Sequence, residues 1–137
     1  MHTEHLHNVR PGFVGLGWFI AIAVTSLVLF VMLALGVLLP DQPGSGRWIT
    51  LAVAIGFVAG GVFVGYMTSL APILHGILIG LTSLLIWAIL NMLVSAFFPD
   101  FTWTQLDPTL AVNLMLIQIV CAIIGTRFGY RFAVPRE

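Results

Sequence analysis

Charge is what this sequence has least of. Residues 48–99 form a run of 52 positions without Asp, Glu, Lys or Arg, in which His75 is the one imidazole. Two further runs, residues 11–40 and 108–126, hold 30 and 19 uncharged positions. Each is long enough for a helix to cross a hydrocarbon core of roughly 30 Å. With 60% hydrophobic and 7% charged residues, a water-soluble chain of 137 residues would lack the polar surface to stay in solution. The chain therefore reads as an integral membrane protein.

Other absences exclude activities. One cysteine, Cys121, forbids an internal disulfide and paired-thiol redox chemistry, and its simplest role is that of a small buried apolar side chain. No carboxylate lies within the spans, as a proton-coupled exporter of this size would need. A haem bundle needs axial ligands, usually paired histidines, but only His75 is in a helix. Ser83 and Ser95 have no base at a spacing that implies activation. The formal net charge is zero with no basic block, so nothing points to nucleic acid. The expectation is a protein that is not an enzyme and has no cofactor. In the polar tail, residues 1–12, His2, His5 and His7 with Glu4 between them can hold a transition metal loosely. A solvated tail is the simpler reading, and no metal site is assigned.

What is present divides the chain into four spans, an all-α polytopic membrane bundle in a single domain. The first apolar run continues to Leu39 without a small-residue cleavage site, so it reads as a retained anchor, helix 13–39. The sequence Pro40-Asp41-Gln42-Pro43-Gly44-Ser45-Gly46 is rich in turn formers and ends it. The 52-residue run as one helix would be roughly 78 Å long, so it must fold back. Thr68-Ser69-Leu70-Ala71-Pro72 supplies the break, because proline suits the first turn of a new helix. This predicts helices 47–68 and 72–97. Asp107 before Pro108 is a helix start, with a carboxylate to accept free backbone N–H groups, and opens helix 108–128.

Four spans bring both termini to one side. Arg10, Arg127, Arg131 and Arg136 flank that side, while Arg47 lies opposite with Asp41, Asp100 and Asp107. By the positive-inside rule both termini are cytoplasmic. Trp48, Phe97, Phe98, Phe101 and Trp103 then gather at the outer interface, with Trp18 and Tyr130 toward the inner one.

Glycine is the second signal. Gly56-xxx-Gly60 and Gly61-xxx-Gly65 in helix two, and Gly76-xxx-Gly80 in helix three, allow close backbone approach where lipid removes any hydrophobic force between helices. They predict a tight hairpin of helices two and three, with Gly76, Gly80, Ser83, Trp87 and Asn91 as the buried stripe of helix three. Helix four has few small residues in its middle and offers no evident packing face. A weak echo links Gly12-Phe13-Val14 with Gly56-Phe57-Val58, but the copies sit at different depths and read as coincidence. The polar candidates are His75, about a turn inside the membrane, Asn91 and Asn113, placed to share an amide bond, and Gln118 near mid-membrane.

The segments Gly60-Gly61-Val62-Phe63-Val64-Gly65-Tyr66-Met67, Leu74-His75-Gly76-Ile77-Leu78-Ile79-Gly80-Leu81 and Ala122-Ile123-Ile124-Gly125-Thr126-Arg127-Phe128-Gly129 resemble small four-helix bacterial membrane proteins of the YrzE-like type. The resemblance covers roughly the last 90 residues. It departs at Tyr66, where the family usually carries a basic residue. It implies a location in the bacterial plasma (inner) membrane and no activity. The reading is a non-enzymatic structural or accessory subunit that associates, through glycine-rich faces and among membrane lipids, with copies of itself or with a larger membrane protein. Its alternative is a small oligomeric channel or transporter for a neutral or weakly polar solute, lined by His75, Asn91, Asn113 and Gln118.

Overall fold

The computed structural model describes residues 5–38, 44–69, 71–97 and 108–133. After a single 3-10 turn, Leu6–Asn8, come four helices: α1 (Pro11–Ala34), α2 (Ser45–Thr68), α3 (Pro72–Phe97) and α4 (Pro108–Ala133). All four are long and apolar enough to cross a membrane, and no strand occurs among the described residues. The fold is a four-helix membrane bundle.

The helix ends follow local chemistry. Pro11 occupies the first turn of α1, where its missing N–H has no intrahelical partner to lose, so α1 starts two residues earlier than expected. It also ends five residues short of Leu39. Gly36 adopts φ +68°, its N–H donates to Leu33 O at 3.1 Å, and Val37 N–H donates to Met32 O at 2.9 Å. This pair of bonds around a left-handed glycine is a Schellman stop, which satisfies carbonyls that would otherwise be orphaned. Between α2 and α3, Ser69 and Ala71 both have positive φ, 48° and 41°, and Pro72 opens the next helix as expected. α4 runs on to Ala133 rather than 128, since no residue in Gly129–Ala133 forces a stop and Gly129 lies against α2. The carboxylate of Asp107, like Phe98, Phe101 and Trp103, lies outside the described residues.

The helices form a ring in the order α1, α2, α4, α3. α2 packs most extensively on α4 and then on α1, α4 also packs on α3, and α1 meets α3 lightly. Helices α2 and α3, although joined by a few residues, touch least of these pairs and lie diagonally across the ring. The expected α2–α3 hairpin is therefore replaced by an α2–α4 pair. These two helices run parallel, since Gly61 meets Ala122 and Gly65 meets Thr126. By the same test α1–α2 and α3–α4 are antiparallel, with Gly60 on Gly17 and Gly56 on Ala21, Gly76 on Ile123 and Gly80 on Ile119.

Packing is concentrated at one end. The core joins Val14, Ala21, Val53, Phe57, Val64, Ile79 and Ala122. In α3 every buried residue falls between Pro72 and Gly80, and from Leu85 to Phe97 the helix is mostly exposed. We call the packed end the proximal half; it contains the start of α1 and α3 and the end of α2 and α4.

Candidate functional site

The proximal half is built around glycines that admit the backbone of a neighbouring helix. A β-carbon on Gly61 would stand 2.5 Å from Ala122 O and 3.0 Å from Thr126 N, and one on Gly65 would stand 2.8 Å from Thr126 Cα. The fit is reciprocal: a β-carbon on Gly125 would lie 3.0 Å from Val62 N, and one on Gly129 would lie 2.7 Å from Tyr66 N. Gly56 and Gly60 receive α1 at Ala21, Thr25 and Gly17, and Gly76 and Gly80 receive α4 at Ile123 and Ile119. At Gly56, Gly60, Gly61, Gly65, Gly125 and Gly129 a carbonyl oxygen of the facing helix stands where the methyl would be. That is the arrangement of a Cα–H···O contact, worth about 0.5–1 kcal/mol each.

All six glycines singled out in the sequence are thus occupied by this chain's own helices. The faces that receive those of α2 are Gly17-xxx-Ala21-xxx-Thr25 on α1 and Ala122-xxx-Thr126 with Gly125 on α4, while Gly76 and Gly80 of α3 meet Ile123 and Ile119. The absence of an evident packing face on α4 is overturned: small residues four apart mark it, although alanine and threonine share the role with glycine. The stripe on α3 is buried only at Gly76 and Gly80; Ser83 and Asn91 are half-buried and Trp87 is exposed. Gly12 has open space around it whereas Gly56 meets α1, so the two copies of the sequence echo do different things.

His75 is the most committed polar residue. Its side chain is fully buried. Its Nδ1 lies 2.9 Å from Ala71 O, and its Nε2 accepts the backbone N–H of Arg10 at 3.2 Å. The first bond joins the ring to the start of its own helix, at a residue held at positive φ. The second ties the segment before α1 to α3, an interaction between residues 65 positions apart that nothing in the sequence pattern announces. Val9 packs on the core beside it.

The four polar candidates do not converge. His75 and Asn91 are sixteen residues apart on one helix, hence about 24 Å along its axis. Asn91 turns its amide back to Trp87 O at 2.8 Å instead of across to α4, and Asn113 is exposed. Gln118 is half-buried on α4. The hydroxyls are spent locally: Thr25 donates to Ala21 O, Thr68 to Val64 O and Thr82 to Leu78 O, each at 2.8 Å, and Thr126 to Ile123 O at 3.0 Å. Trp18 packs against the core with its indole N–H buried and unpartnered among the described residues. Cys121 is free and half-buried. His5 and His7 are exposed, His2 and Glu4 lie outside the described residues, and no group of three metal-ligating side chains occurs among those described.

No protein-family model, curated protein or solved structure matches this chain.

Proposed function

We propose that the chain is a non-enzymatic structural or accessory protein of the bacterial inner membrane, with both termini cytoplasmic, that works by packing against a larger membrane protein or against copies of itself. One observation carries this reading: His75, Asn91 and four of the threonines within the spans are already engaged with the chain's own backbone. His75 uses both ring nitrogens, Asn91 bonds to Trp87, and four threonines return their hydroxyls to their own helices. Because the glycine faces are filled internally, association falls to the apolar surfaces left open away from the proximal half. Leu85, Leu93 and Phe97 on α3 are among these, 60%, 49% and 73% exposed.

The deciding experiment is purification in native-membrane nanodiscs followed by mass measurement. A discrete complex with a second membrane protein, or a homo-oligomer without solute flux, is the expected result. A homo-oligomer whose solute flux is abolished by Asn91→Leu or Gln118→Leu would replace this reading with the channel.

A further inference from the structure

We propose that His75 is an acid-released latch on the segment preceding α1. A carbonyl only accepts, so the Nδ1 facing Ala71 O carries the proton; a backbone N–H only donates, so the Nε2 facing Arg10 is bare. Both assignments describe one species, the neutral Nδ1–H tautomer. A second proton has to go onto Nε2, where it would point at the Arg10 N–H, and that hydrogen bond cannot survive it. The Ala71 bond is compatible with both states. Protonation therefore breaks one contact selectively and leaves the start of α3 closed.

The surroundings reinforce the effect. The ionisable groups on the elements that meet at this end are His5, His7 and Arg10 ahead of α1, Tyr66 near the end of α2, and Cys121, Arg127, Tyr130 and Arg131 on α4. No carboxylate is present among the described residues. An imidazolium at His75 thus has no anion among the described residues to pair with, and burying an unpaired charge is costly. Water or headgroups can take up that charge once the cover formed by Val9 and Arg10 moves. Since the neutral ring makes the latch, the latch holds while Nε2 is bare and opens when Nε2 takes a proton. This inference does not depend on the accessory role.

The test is amide hydrogen exchange of the 137-residue chain in nanodiscs at about pH 8 and about pH 5, corrected for the intrinsic pH dependence of exchange. Protection of the Arg10 amide should fall at least roughly tenfold at the lower pH, while the His75 amide, bonded to Ala71 O at 3.1 Å, keeps its protection. In His75→Phe the Arg10 amide should be unprotected at both values. Equal Arg10 protection at the two pH values in the wild type, or protection that survives the substitution, overturns the latch. Imidazole nitrogen shifts of the wild-type protein add a check that needs no variant. The Nδ1–H tautomer giving way to a doubly protonated ring on acidification is expected; an Nε2–H tautomer, or a ring that stays neutral, overturns the proposal.

Discussion

Gly15 and Gly125 look alike in sequence, each within an apolar helix, and the molecule uses them differently. A β-carbon on Gly15 would meet nothing within 4 Å, whereas one on Gly125 would meet Val58 and Val62 of α2. Gly125→Ala should therefore destabilise by about 1–3 kcal/mol, the range for forcing a methyl into a close-packed contact. Gly15→Ala should be neutral or stabilise by up to about 1 kcal/mol through helix propensity. Reversible unfolding in mixed micelles separates the two, and equal effects would mean that α4 does not sit where described. At this scale the sequence was legible for α2, where four glycines stand out, and poorly legible for α1 and α4. There Ala21, Thr25, Ala122 and Thr126 do what glycine does, and their small size draws no notice until a facing glycine is known. The Arg10–His75 bond was illegible because a backbone donor carries no residue signature.

Among the elements, the spans were legible because long uncharged runs admit few alternatives, and Pro72 and Pro108 start α3 and α4 where expected. The end of α1 was misplaced because hydropathy continues past Gly36, while the stop is a backbone conformation that hydropathy does not report. Ser69 closes α2 at φ 48°, a region where a β-carbon is strained. Ser69→Gly should raise stability by up to about 1 kcal/mol, measurable as a higher unfolding midpoint. The two halves of α3 should also respond unequally. Ile79 is fully buried, so Ile79→Ala should cost about 2 kcal/mol or more; Leu93, 49% exposed, should lose little when replaced by Ala. Comparable losses at both positions would show that the distal half of α3 is packed.

For the whole molecule, the arrangement is a ring in which consecutive helices α2 and α3 face each other across the diagonal while α2 and α4 run parallel in contact. Sequence patterning exposes which helices carry small-residue faces but not which face meets which, and a short connection favours the neighbour that this bundle does not use. The central claim is that the glycine faces hold one chain together instead of joining it to another. Gly65→Leu tests it most directly, with native mass and unfolding temperature read on the same nanodisc preparation beside wild type. A lowered midpoint, with any folded fraction keeping the wild-type mass, is the result predicted here. A fully stable protein that has dropped to a smaller assembly would contradict it, because Gly65 would then face a partner and not Thr126.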